Sequence, residues 1–167
     1  MAVTLVVIRH AKSDWSAPVA DRDRPLAKRG RTQAPLTGRW IAEHLPPIDL
    51  AVVSVAVRAR QTWERVSREL PEGIDQVESE TAYTFDGRRL RELVADLPDT
   101  ARTVVLVSHN PAVEELIEVL TGEWVAMPTS SVAVIELTDW TSVGMERGRL
   151  RAAGRPSDDR WSVRLQD

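Results

Sequence analysis

The sequence predicts an α/β protein, a three-layer α/β/α sandwich around a mainly parallel central sheet. Three observations carry that prediction. Short apolar runs rich in Val and Ile recur at Ala2 to Ile8, Leu50 to Val55 and Thr103 to Val107, the pattern of strands buried on both faces. Between them lie segments whose apolar residues fall at helical spacing, and Pro or Gly marks most of the joins. Strands alternating with helices in this way build a parallel sheet covered on both sides. At 167 residues the chain fits one domain of roughly 100 to 200 residues. Residues 1–167 are therefore read as a single domain, with 156–167 as a peripheral tail.

The elements follow in order. After the first strand a polar loop, Ala11 to Pro25, leads to a helix over about Lys28 to Leu45, with Ala34, Trp40, Ile41 and Leu45 roughly on one side. Pro35 must lie in its first turn or kink it, and Pro46-Pro47 ends it. The Leu50 to Val55 strand runs into a helix from about Ala59 to Leu70, with Ala59, Trp63, Val66 and Leu70 on one face. A weaker strand is placed at Asp75 to Glu78, then a loop over Tyr83 to Gly87 and a short helix from Arg88 to Leu97. The Thr103 to Val107 strand leads to a helix from about Pro111 to Leu120, with Asn110 as expected N-cap, Pro111 at the first helical position and Gly122 past the end. Ser131 to Leu137 is a further strand, and the glycines at 144, 148 and 154 divide the rest into a hairpin and a terminal strand near Trp161 to Leu165.

Composition narrows the function. There are no cysteines, which excludes disulfides, zinc–thiolate sites and thiolate-nucleophile phosphatases. The segment before Arg9 lacks the basic region and cleavage signal of a secretory leader, and no apolar stretch approaches the ~20 residues of a membrane span. A soluble cytoplasmic protein with no membrane partner is expected, and a monomer. A formal net charge of −3 speaks against nucleic acid as a partner. The basic stretch Arg22, Arg24, Lys28, Arg29, Arg31 and Arg39 reads as a solvated helix face apart from Arg24.

Candidate chemistry sits where strands end. In a parallel sheet the loops after neighbouring strands converge on one crevice. The first strand delivers Arg9 and His10, the second leads into Val57-Arg58-Ala59-Arg60-Gln61-Thr62 at a helix start, and the strand before Ser108-His109-Asn110-Pro111 delivers His109. Two imidazoles, two guanidiniums and helix N-termini make an anion trap. A neutral histidine whose second nitrogen donates to a fixed backbone carbonyl is a competent nucleophile. His10 is the candidate for that role, with Arg9, Arg58 and His109 stabilising the transferred phosphoryl oxygens. His44, on a helix without such company, reads as surface or capping. Of the six tryptophans, Trp40, Trp63 and Trp124 fit helix faces or core edges, while Trp15, just beyond His10, either walls the crevice or packs.

These motifs together resemble the histidine phosphatase superfamily, and within it the SixA-type phosphohistidine phosphatase branch. The resemblance rests on Leu5 to Ser13 (LVVIRHAKS), Asp23-Arg24-Pro25-Leu26 followed by Gly30, Ser54 with Arg58-Ala59-Arg60-Gln61-Thr62, and Val107-Ser108-His109-Asn110-Pro111, over roughly residues 3 to 140. It implies a phosphoglycerate-mutase-like fold and phosphorylation of His10, with Arg9, Arg58 and His109 completing the phosphate pocket. It also implies Arg24 as a further phosphate ligand, with Lys12 and Ser13 beside it as substrate-binding residues. No cofactor and no metal are implied. Ala11 stands where many superfamily members have Gly.

Larger relatives supply a carboxylic acid from the region after the third strand. Here that region is Glu80 to Asp86, Thr84 stands where relatives of this branch often show Glu, and Asp86 and Glu80 are the candidate proton donors. An imidazole leaving group needs such an acid far less than an alkoxide does, so the expected reaction is metal-independent hydrolysis of phosphohistidine on a protein. The alternatives are a phosphatase for small phosphorylated molecules and a non-catalytic phosphate-recognition module. Asp21-Arg22-Asp23 has the paired aspartates of haloacid-dehalogenase phosphatases, but after a loop rather than at a strand end, and that reading is set aside.

Overall fold

The structure, a computed structural model, describes residues 1–166; Asp167, the last residue of the expected tail, lies outside the described residues. The strands are β1 (Val3–Arg9), β2 (Leu50–Ser54), β3 (Asp75–Ser79), β4 (Thr103–Ser108), β5 (Val132–Leu137), β6 (Arg149–Gly154) and β7 (Arg164–Leu165). The helices are α1 (Lys28–His44), α2 (Val57–Ser67), α3 (Gly87–Ala95) and α4 (Ala112–Thr121). One sheet runs in the order β3-β2-β4-β1-β5-β6-β7. Strands β1 to β4 are parallel, and β5, β6 and β7 add antiparallel. The sheet is thus mixed, with a parallel part that carries the crevice and an antiparallel flank. The segment expected to be a tail supplies β7 on β6.

Alternation along β1 and β4 divides the core between two layers. Leu5, Val7, Val104 and Leu106 pack with Leu90 and Val94 of α3 and with Leu116 and Ile117 of α4. Val6, Ile8, Val105 and Val107 pack with Ala34 and Ile41 of α1 and with Trp63 and Val66 of α2. Each such side chain, fully buried, contributes about 1.5–3 kcal/mol, so the central strands are the best specified part of the fold. The edge strand β3 is exposed along Asp75 to Glu78, which explains its weak apolar signal.

Several expectations are corrected. Pro35 lies inside α1 beyond the first turn. Helix α2 begins at Val57, ahead of the expected Ala59, which puts Arg58 in its first turn. Asn110 does not cap α4: the Asn110-Pro111 bond is cis, the helix starts at Ala112, and Asn110 Nδ2 donates to Glu114 Oε1 at 2.9 Å and to the Met127 carbonyl at 2.9 Å. Gly122 does end α4, with φ +77°, a left-handed conformation that suits glycine. Trp63 is buried, but Trp124 lies beyond α4 and is 63% exposed, so it is not a core-edge residue. His44 is a surface residue stacked on Trp40, donating from Nδ1 to the Trp40 carbonyl at 2.9 Å.

Candidate active site

The loop that follows β1 is held by acceptors from two helices. Ala11 N donates to Thr62 Oγ1 at 2.9 Å, Lys12 N to Gln33 Oε1 at 3.0 Å, and Leu26 N to Gln61 Oε1 at 2.8 Å. Helix α1 comes so close that a Cβ on Gly30 would stand 2.1 Å from the Lys12 carbonyl oxygen, so only glycine fits there. From the other side Ser130 N donates at 3.1 Å to the carbonyls of both Arg9 and His10. Ser130 adopts φ +62° to do so, and its own carbonyl accepts from Thr37 Oγ1 at 2.8 Å. The Arg9-His10 backbone is therefore fixed from both flanks.

A cavity of about 210 Å³ opens beside it. Arg9, His10, Lys12, Ser13, Arg24, Arg58 and His109 all line it. The convergence expected of the strand ends is thus present in the geometry. Trp15, Asp21, Phe85, Asn110 and Thr129 complete the lining. Trp15 is 71% exposed and stacks on the Arg24 guanidinium, 3.5 Å from ring centroid to Cζ. It both walls the cavity and packs.

His10 is 7% exposed, and its Nδ1 lies 2.7 Å from the Ala11 carbonyl oxygen. A carbonyl only accepts, so Nδ1 carries the proton and Nε2 keeps its lone pair. Burial, then the nearby His109, Arg58 and Arg9, hold this imidazole well below its ordinary 6.5, against a smaller raising effect of the Ala11 bond. His109 is 5.2 Å away between ring centroids and is pushed down to about 3 by burial and by Arg58. Both rings are neutral at physiological pH.

His109 Nε2 lies 2.7 Å from Ser54 Oγ, which accepts from Ala56 N at 3.3 Å. The Ser54 hydroxyl can then donate to Nε2, which leaves the ring proton on Nδ1. That Nδ1 is buried without a partner, as are Arg9 Nε and Arg58 Nε. Buried donors are nearly always paired, so three unpaired ones from cavity-lining residues mark a place suited to a multi-oxygen anion. Arg9 also donates from NH1 to the Met127 carbonyl at 3.0 Å.

Arg24 and Arg58 share an acceptor to which the sequence alone assigns no role, Asp21. Asp21 Oδ1 accepts from Arg24 Nε at 3.2 Å and NH2 at 3.0 Å, while Oδ2 accepts from Arg58 NH2 at 3.0 Å and from the Tyr83 hydroxyl at 2.6 Å. The Asp21 carbonyl accepts from Arg58 NH1 at 2.7 Å, and Arg24 NH1 donates to Ser13 Oγ. Burial works to raise the Asp21 carboxyl, but the bonds from Tyr83, Arg24 and Arg58 prevail and hold it well below the usual carboxylate range. One local signal existed: Asp21 stands three residues before Arg24, the spacing at which side chains meet on a helical turn. The contact with Arg58 is purely tertiary.

The two expected proton donors lie elsewhere. Asp86 caps α3, accepting from Arg88 N at 2.9 Å, and Glu80 pairs with Arg22 at 2.5 Å. Neither lines the cavity. The structure thus separates Asp86 and Glu80 from the other candidates, because capping a helix and pairing with Arg22 turn both carboxylates to other partners.

Comparison with known proteins places the chain. The sequence model of the histidine phosphatase superfamily (branch 1) matches residues 5–81. An uncharacterized Mycobacterium tuberculosis protein is 34% identical over 148 residues, 81% of this chain and 91% of its own. The solved structure of a candidate phosphohistidine phosphatase SixA from Agrobacterium tumefaciens is 31% identical, with a TM-score of 0.78 over 90% of this chain and 96% of that one. A second, described in the same terms and from Nakamurella multipartitia, is 26% identical with a TM-score of 0.85 over 95% and 98%. A crevice that gathers two neutral imidazoles and three guanidiniums, in a chain with these relatives, makes this hydrolase a member of the histidine phosphatase superfamily, in its SixA-like branch.

Proposed function

We propose that the protein hydrolyses phosphohistidine on a protein substrate through a covalent phosphoryl group on His10. The observation that carries this reading is the contact of His10 Nδ1 with the Ala11 carbonyl: it commits the ring proton to Nδ1 and leaves Nε2 of this cavity-lining residue with its lone pair. Nε2 attacks phosphorus, the bond from phosphorus to the substrate nitrogen breaks, and the substrate imidazole leaves carrying a proton taken up from solvent. Water then attacks phosphorus, the His10–phosphorus bond breaks, and phosphate departs with one of the water's protons while the other returns to solvent, replacing the one taken up in the first step. Arg9 Nε, Arg58 Nε and His109 Nδ1 supply donors to the equatorial oxygens, where charge gathers in both steps. These groups match the charge of the phosphoryl group without a metal ion, and a chelator should leave turnover unchanged.

The preference for a nitrogen leaving group has its own support. Among the described residues that line the cavity, Asp21 is the one carboxylate, and its three hydrogen-bonded partners keep it ionised. An ionised carboxylate cannot protonate an alkoxide, whereas an imidazole needs no acid in the site. The test is a hydrolysis screen of a phosphohistidine protein against small phosphomonoesters. We expect the phosphohistidine protein to be hydrolysed faster, and brief reaction to leave an acid-labile, alkali-stable label on the enzyme. Preferred hydrolysis of the esters would overturn the substrate assignment, and a label of ordinary ester stability would overturn the role of His10.

A further inference from the structure

We infer that Asp21 is a built-in counter-anion of the phosphate pocket, a positioning residue that aims Arg24 and Arg58 and whose own charge keeps released phosphate loosely bound. This rests on the reading of the cavity as a phosphate site.

The geometry is that of a hub. Asp21 sits on a single 3-10 turn, Asp21–Asp23, in the loop after β1. Its carboxylate and carbonyl oxygens accept from Arg24, Arg58 and Tyr83, which come from three separate segments of the chain. Arg58 and Arg24 are 1% and 6% exposed, while the Asp21 side chain is 42% exposed. The carboxylate therefore stands at the mouth, between solvent and two buried guanidiniums.

That placement has two consequences of opposite sign. Arg58 gives one N–H each of NH1 and NH2 to Asp21, which leaves Nε as its nitrogen without a partner and fixes the plane of the fork. Arg24 is fixed likewise, with Nε and NH2 on Asp21 and NH1 on Ser13. Held in this way the two cations need not reorganise when charge develops on the phosphoryl oxygens, which favours the chemical step. Free phosphate, however, meets a pocket in which one negative charge already sits between the guanidiniums. Repulsion between like charges weakens its hold. The covalent phosphoryl group cannot be expelled by that repulsion, whereas the product can.

The experiment compares wild type with Asp21→Asn, measuring kcat on a small activated phosphoramidate and the binding of inorganic phosphate both as an inhibitor and by calorimetry. The expected result is a divergence. The value of kcat falls about ten- to a hundredfold as the guanidiniums lose their shared acceptor. Phosphate binds about two- to fivefold more tightly, the scale of one partly exposed charge pair. Phosphate binding that weakens or stays unchanged while kcat falls would overturn the proposal and leave Asp21 an ordinary structural anchor. Asp21→Ser carries the same expectation with a smaller side chain, and failure of both variants to fold would also overturn it. If phosphate does not compete with substrate in the wild type, the phosphate-site reading itself fails, an outcome distinct from any of these.

Discussion

Two cavities of nearly equal size lie at opposite ends of the parallel strands and are built from opposite materials. The one at the strands' C-terminal ends, about 210 Å³, is lined by His10, His109 and three arginines. The other, about 220 Å³, lies where α1 and α2 turn back into β2 and β3, and is lined chiefly by Ile41, Leu45, Ile48, Leu70 and Ile74 with Pro46, Pro47 and Pro71. Among the described residues, no side chain around this second cavity has a buried polar atom without a partner, whereas the first has four such residues, Arg9, Arg58, His109 and Asn110. Volume does not separate a site from a packing gap. The concentration of unpaired buried polar atoms in one lining does, because leaving several such groups desolvated together is costly unless a ligand pairs them.

The contrast can be broken first at His10. His10→Ala should abolish both turnover and the acid-labile label, measured with an activated phosphate donor; retained label would move the nucleophile to another residue. Next, Arg58→Ala should lower kcat on the order of 10²-fold or more, the effect of losing one preorganised electrostatic donor. An unchanged kcat would take Arg58 out of the chemistry and leave the polar cavity a mere assembly of ion pairs.

Stability against pH sharpens the comparison further. The rings of His10 and His109 are neutral in the folded protein, His109 down to about pH 3, while in the unfolded chain they take up protons near pH 6.5. Below 6.5 the unfolded state therefore binds more protons, and stability should fall with falling pH, by at most about 1.4 kcal/mol per pH unit for each ring. Urea unfolding at pH 7, 6 and 5 measures this. A flat profile would mean that the folded rings titrate as the unfolded ones do, near 6.5, and that burial does not hold them neutral at lower pH. The smallest effect belongs to the apolar end: Ile41→Val should cost about 0.5–1.5 kcal/mol in the same assay and leave kcat unchanged. A changed kcat would show that the two ends are coupled through α1.

Much of the polar end was legible in the letters. β1, β2 and β4 are apolar on both faces, so their ends could be located, and with them His10, Arg58 and His109. The antiparallel flank was not legible, because a run such as Val132 to Leu137 reads the same whichever way it pairs. Asn110 misled because the Asn-Pro pattern describes only local options, and the Met127 carbonyl and Glu114 compete for its amide from a distance. Asp21 was passed over for a related reason. Its significance lies in reaching Arg58 and Tyr83, 37 and 62 residues away in the chain, and no local pattern encodes such a meeting. Asp86 and Glu80 fit the proton-donor region of the family, yet in the fold they turn toward a helix cap and a surface pair.

The bond from His10 Nδ1 to the Ala11 oxygen carries a last consequence, for how this enzyme would look to genetics. The acceptor is a peptide group, so no codon change deletes it, and residue 11 already carries the side chain that a systematic alanine scan would install. Saturation mutagenesis would find no side chain that orients the His10 ring. Only a change to the covalent backbone reaches it: a semisynthetic chain with an ester in place of the Ala11–Lys12 amide offers the ring a poorer acceptor, and it also removes the Lys12 N–H that donates to Gln33 Oε1.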